Sequence, residues 1–217
     1  MGKTSPLMAA LKTILKPMIP KRVIDERYKF ARLGAAGKAY ARLRTLDAIG
    51  LRAHNNRVPA RNARSFMFVC HGNIMRSPTA EFLLKRALAT RKIGGMTVIS
   101  SGTHATPGTE AHPRAQAAAL ELGLSLASHR SKLITAEMVA ASDVILAMDF
   151  QNHAELTVHF PDASSKVFLM SAFADGAQQF REIPDPYFGG EQETRECFSV
   201  LQTCVDNMVQ RMMQPLI

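Results

Sequence analysis

Phe66-Met67-Phe68-Val69-Cys70-His71-Gly72-Asn73-Ile74-Met75-Arg76-Ser77-Pro78-Thr79-Ala80-Glu81 is the stretch whose reading decides the fold. Its first four residues form an unbroken apolar run and predict a short buried strand. Pro78 predicts the first turn of a helix, where its missing N–H would lack a partner in any case. Between the two, Cys70 and Arg76 are separated by five residues. A loop that leaves a strand and enters a helix turns several backbone N–H groups toward one point, and the helix N-terminus adds partial positive charge. That cradle fits a phosphate-sized dianion, to which Arg76 offers a two-pronged guanidinium. The same field holds Cys70 as thiolate, the nucleophilic form.

Around this stretch the charge is uneven. The 217 residues carry a net charge of +9, but residues 1–64 hold 15 Lys/Arg against 3 Asp/Glu, and residues 65–217 hold 12 against 15. The asymmetry predicts a basic, helical N-terminal extension over 1–64 and a separate domain over 65–217. Cys70, Cys197 and Cys204 are the three cysteines. The last two lie on one predicted helix, about 10 Å apart at a rise of about 1.5 Å per residue, too far for a disulfide. This pattern suits a reducing, cytoplasmic setting. No run approaches the roughly 18 apolar residues of a membrane span, and the N-terminus lacks the apolar centre of a signal peptide. The seven histidines are dispersed, with no metal-ligand spacing, so neither a metal nor another cofactor is expected.

The chain in order alternates between strand and helix. Strands are predicted at Phe66–Val69, Thr97–Ser101, Asp143–Met148 and Lys166–Met170. Helices are predicted at Pro78–Lys92, His112–Leu122, from an Asp149 cap to His159, and at Glu191–Met213. Short apolar strands separated by helices predict an α/β fold, with a four-stranded parallel sheet covered by helices on both faces. In such sheets ligands bind beyond the carboxyl ends of the strands, where Cys70 falls. In the extension, Leu7 to Ile19 recur at helical spacing, a second helix is predicted from Lys21 to Ile49 with Gly34 and Gly37 weakening its middle, and His54–Arg64 is a polar linker. Two readings of this extension stand: a basic element that meets an anionic membrane surface or an acidic partner, and a helical hairpin packed on the domain. No nucleic-acid-binding motif is present, and no nucleic-acid partner is expected.

Cys70, Gly72, Asn73, Arg76, Ser77 and Pro78 together resemble the C-x-G-N-x-x-R-S-P signature of the low-molecular-weight protein tyrosine phosphatases. Four later segments resemble that family in the same order. They are Ser100-Ser101-Gly102-Thr103, Ser128-His129-Arg130-Ser131-Lys132, Asp143–Met148 with Asp149, and Ile183-Pro184-Asp185-Pro186-Tyr187.

The resemblance implies hydrolysis of phosphotyrosine through a phosphocysteine intermediate. Cys70 would be the nucleophile, and Arg76 would bind phosphate and follow its charge into the transition state. Asp185 would be the general acid and then base; only the resemblance joins it to Cys70. His71, Gly72, Asn73, Ile74, Met75 and Ser77 would surround the phosphate, Tyr187 would stack on the substrate ring, and His129 would hydrogen-bond the loop. The substrate would be a phosphotyrosine protein, with a membrane-bound tyrosine kinase of polysaccharide export as the expected partner.

Two departures stand out. Met75 occupies a position where the family often has a second cysteine, so no disulfide can form within the loop. Thr103, His104, Ala105 and Thr106 stand where many members carry an aromatic wall. Two other readings are weighed. An arginine phosphatase resembles this loop but has Thr where Ile74 stands, and a non-catalytic phosphate-binding module would not need Asp185. A thiol-dependent arsenate reductase is set aside, because residues 71–196 contain no cysteine.

Overall fold

The structure, a computed structural model, describes residues 33–51, 59 and 62–214. Four strands form one parallel sheet: β1 (Ser65–Cys70), β2 (Thr97–Gly102), β3 (Val144–Ala147) and β4 (Val167–Leu169), in the spatial order β2-β1-β3-β4. Among the described residues six α-helices accompany them: α1 (Gly37–Ala48), α2 (Arg76–Thr90), α3 (Pro113–Glu121), α4 (Ala136–Ala140), α5 (Phe150–His159) and α6 (Glu191–Met213).

The apolar run of β1 feeds both faces of the sheet, because successive side chains in a strand point to opposite sides. Phe66 and Phe68 enter a core with Leu83, Leu84 and Leu88 of α2, Ala115 and Ala119 of α3, and Phe198, Leu201 and Val205 of α6. Met67 and Val69 enter a second core with Ile145, Val167, Val139 of α4 and Leu156 of α5. The expected α/β sheet with helices on both faces is what the chain forms. Phe68 has no exposed surface; truncating such a side chain to alanine typically costs about 3–5 kcal/mol.

Strand order positions the site. The chain leaves β1 for β2 on one side, then crosses to β3 on the other, so the connections diverge at the carboxyl ends of β1 and β3. In open α/β sheets this divergence leaves a crevice where ligands bind. Cys70 ends β1, paired in register with Gly102 of β2. Asp149 follows β3 and caps α5, its side chain accepting from the Asn152 amide at 2.8 Å.

Several expectations are corrected. The helix predicted from Pro78 begins two residues earlier, at Arg76, and ends at Thr90. Lys92, the expected last residue, lies beyond the helix with a positive φ of 55°. The short helix α4 and the 3-10 turns at Pro161–Lys166 and Met170–Phe173 were not foreseen, since none spans enough residues to show a period. The helix predicted over Lys21–Ile49 is not continuous: Gly34 takes φ +51°, opens a 3-10 turn, and α1 starts only at Gly37. Residues 21–32, the predicted segment Leu7–Ile19 and most of the predicted linker lie outside the described residues.

Helix α1 packs on the domain. Ala36 and Tyr40 are buried with Phe150 and Ala154 of α5 and Leu169 of β4. An ion pair from Arg44 to Glu182, at 2.6 Å, ties this helix to the loop that precedes Asp185.

Candidate active site

The loop from Cys70 to Met75 is shaped by Asn73. This residue adopts φ +53°, a left-handed conformation that asparagine tolerates better than most side chains. Its amide nitrogen donates to Ser77 Oγ at 2.8 Å and to Ser100 Oγ at 2.9 Å, and its side-chain oxygen accepts from the Lys132 amide at 2.8 Å. His129 Nε2 lies 2.7 Å from the Asn73 carbonyl, so that nitrogen carries the proton and donates. Burial, the largest influence on His129, lowers its pKa and favours this neutral form. Ser100 in turn donates to the buried carboxylate of Glu81 at 2.5 Å. Gly102 has a steric reason: a Cβ there would meet the His71 carbonyl oxygen at 2.6 Å and the Asn73 nitrogen at 2.9 Å.

The Cys70 sulfur accepts from the Asn73 backbone N–H at 3.2 Å and lies 3.0 Å from Ser77 Oγ. The Ser77 hydroxyl can also donate to the Ser101 carbonyl at 3.2 Å. When the sulfur is ionised, the hydroxyl proton turns to the sulfur and satisfies the new charge. Among the described residues, the backbone N–H groups of Gly72, Ile74 and Met75 have no protein acceptor. They are left to an anion at the head of α2.

Arg76 is the first residue of α2 and only 2% exposed. Its guanidinium donates to Asp149 and to Asp185, each at 2.7 Å, and to the Ile183 carbonyl at 3.0 Å. A cation at a helix N-terminus opposes the helix dipole. From sequence alone only a bound anion offsets that cost; in the fold, two carboxylates offset it as well.

Asp185 is held by its own loop. Its second carboxylate oxygen accepts from the Tyr187 amide at 3.2 Å. Arg114 of α3 donates to the carbonyls of Pro186, Tyr187 and Gly189, bracing that loop from outside. Tyr187 stands edge-on to His112 and to Phe188, at 5.6 and 5.2 Å between ring centroids.

These groups surround a cleft of about 310 Å³. Cys70, His71, Gly72, Ile74, Met75, Arg76, Asp185 and Tyr187 all line it, as do His104, Thr106, Thr109 and Phe188. Asn73 and Ser77 are fully buried beneath the loop and brace it from behind. His104 stacks on His71 with centroids 4.6 Å apart, giving the segment after β2 a flat wall where aromatic side chains are absent. Sequence reasoning missed three contributors: Asp149 as a partner of Arg76, Arg114 as the brace, and Glu81 as the anchor of Ser100. Asp149 carried a signal, since it sits two residues past β3 at the same sheet end as Cys70.

The model of the low molecular weight phosphotyrosine protein phosphatase family matches residues 65–215. The chain belongs to this family. It is a protein tyrosine phosphatase, a hydrolase of phosphoric monoesters. The phosphatase is 35% identical over 150 residues to the Wzb low molecular weight protein-tyrosine-phosphatase of Salmonella typhi, covering 69% of this chain and 92% of that protein. It is 37% identical over 153 residues to the probable phosphatase AmsI of Erwinia amylovora, covering 70% and 96%. The crystal structure of AmsI from Erwinia amylovora superposes with a TM-score of 0.64 at 32% identity, over 70% of this phosphatase and 95% of AmsI. The YwlE arginine phosphatase of Geobacillus stearothermophilus superposes with a TM-score of 0.61 at 31% identity, over 68% and 91%. Residues 1–64 of the phosphatase lie outside the family match. Among the described residues, no helix is long and apolar enough to cross a membrane.

Proposed function

We propose that the phosphatase hydrolyses phosphotyrosine in proteins with Cys70 as nucleophile, Arg76 as phosphate ligand and Asp185 as general acid and base. In the first step the Cys70 thiolate attacks phosphorus, the bond from phosphorus to the tyrosine oxygen breaks, and Asp185 gives its proton to the leaving phenolate. In the second, the Asp185 carboxylate takes a proton from water, the water oxygen attacks phosphorus, and the S–P bond breaks. Arg76 and the backbone N–H groups of Gly72, Ile74 and Met75 stabilise the negative oxygens in both steps. His71 and Tyr187 complete the phosphate and ring sites, while Asn73 and Ser77 hold the loop in shape from behind.

The observation that carries the reading is that one guanidinium, at the mouth of the loop holding the Cys70 sulfur, contacts Asp185 directly. Turnover of p-nitrophenyl phosphate by the wild type and by Cys70→Ser and Asp185→Ala tests it. Cys70→Ser is expected to abolish turnover, and Asp185→Ala to slow it by roughly 10²–10⁴-fold. Undiminished turnover in either variant would overturn that residue's role.

Two observations bear on substrate. Ile74 presents an apolar side chain to the cleft and His104 a flat ring, which suits a phenyl group. The likeness to an arginine phosphatase supplies the competing reading, and turnover of phosphotyrosine against phosphoarginine peptides separates the two. Residues 1–64 form a basic extension of the phosphatase domain. Their excess of 15 Lys/Arg over 3 Asp/Glu supports a cytoplasmic enzyme placed against an anionic membrane, beside a tyrosine kinase of polysaccharide export. Flotation of the full chain with anionic and neutral vesicles tests the placement; equal flotation would exclude it.

A further inference from the structure

A second groove, of about 700 Å³, adjoins the reaction cleft and shares Arg76 and Asp185 with it. One wall belongs to the extension: Leu33 and Tyr40 line it, from a segment that lies outside the family match. A second wall is α5 with its cap, which present Asp149, Gln151 and Glu155. Packing of Ala36 and Tyr40 against Phe150 and Ala154, with the 2.6 Å pair from Arg44 to Glu182, fixes the two walls relative to each other.

The charge of this groove is one-sided. Asp149, Glu155, Glu182 and Asp185 line it, against the imidazoles of His71 and His104 and the guanidinium of Arg76, which is already shared between Asp149 and Asp185. Glu182 is engaged by Arg44. Glu155 is the unusual member: it is 3% exposed, and one of its carboxylate oxygens has no hydrogen-bond partner among the described residues. Its other oxygen meets His104 at 3.0 Å and Gln151 at 3.2 Å. A buried carboxylate with unfilled acceptor capacity stays costly until a donor or a cation supplies it.

We propose that this groove is a subsite for a cationic side chain, arginine or lysine, that flanks the phosphotyrosine of the substrate, and that the N-terminal extension contributes one of its walls. The proposal rests on the phosphotyrosine reading, since the groove opens from the cleft that would hold the phosphorylated ring. The phosphate loop selects the phosphate; the groove selects the sequence beside it. Complementary charge of this kind acts mainly on specificity and encounter, and salt weakens it.

The test uses the full chain carrying Cys70→Ser, which traps rather than turns over substrate. Binding is measured for two phosphotyrosine peptides that differ only in arginine or glutamate on either side of the phosphotyrosine. The arginine peptide is expected to bind roughly tenfold tighter at low salt, with the ratio falling as salt rises. Leu33→Lys on the extension and Gln151→Lys on α5, each checked for an unchanged thermal midpoint, are each expected to bring the ratio near one. Equal affinities, or tighter binding of the glutamate peptide, would overturn the subsite. A ratio that survives Leu33→Lys but not Gln151→Lys would remove the extension from it. Turnover of p-nitrophenyl phosphate by the wild type is read in parallel: its absence would sink the catalytic reading, while the binding ratio would still decide the subsite.

Discussion

Arg76 and Asp185 are in direct contact: the guanidinium Nη2 donates to the carboxylate at 2.7 Å, across 109 residues of sequence. The phosphate ligand and the acid proposed for the leaving group are therefore set by one another. Asp149 holds the other end of the same guanidinium at 2.7 Å.

The first prediction concerns that anchor. Asp149→Asn keeps the shape of the side chain but removes the charge that orients Arg76. A small displacement of a positioned group costs up to about 10²-fold in rate, so kcat/KM for an aryl phosphate is expected to fall by roughly ten- to a hundredfold. Arg76→Lys, which loses the fork altogether, is expected to cost roughly 10²–10³-fold. Wild-type kinetics in Asp149→Asn would show that Arg76 is oriented by other contacts.

Asn73 should matter for stability as well as for rate. Alanine there meets the left-handed backbone at a cost of about 1–2 kcal/mol, and takes one hydrogen bond each from Ser77, Ser100 and Lys132. Each lost hydrogen bond is worth about 1 kcal/mol. Asn73→Ala is expected to lower the thermal midpoint by roughly 2–4 °C for each kcal/mol lost. An unchanged midpoint would mean the loop holds its shape without this side chain.

A pH effect follows from His129. Burial lowers its pKa in the folded protein below the ordinary value of 6.5. Between the folded and unfolded values the unfolded chain binds more protons, so stability rises with pH across that interval. The contribution is complete above the unfolded value and is lost as pH falls through the folded one. The thermal midpoint is expected to drop more steeply as pH falls below 6.5 in the wild type than in His129→Gln. Parallel curves would remove His129 from the acid response.

The three thiols should separate chemically. Burial pushes Cys197 and Cys204 up to about 12, so both remain protonated near neutrality. Cys70 lines the cleft and accepts an N–H bond at its sulfur. Iodoacetate at about pH 7 is expected to modify one thiol per chain and to block turnover, since the thiolate is the reactive form. Peptide mapping that finds the label on Cys197 or Cys204 would contradict the assignment.

Sequence by itself determined the sheet and the loop. The apolar runs at Phe66, Thr97, Asp143 and Lys166, the helical spacing through Glu191–Met213, and the close order of Cys70, Asn73, Arg76 and Ser77 are local patterns. Periods and short motifs encode burial and turn geometry over distances that one strand or one helical turn can span. Asp185 was legible only through resemblance, Asp149 only as a polar residue at the right sheet end, and Arg114 and Glu81 not at all. Those contacts join α2, β2, α3, the cap of α5 and the Asp185 loop, and no sequence spacing carries information about which side chains of separate elements meet at one sheet end. The groove wall built by Leu33 and Tyr40 was decided in the same way, by the packing of α1 against α5. Local order wrote the phosphate cradle; long-range burial chose what stands around it.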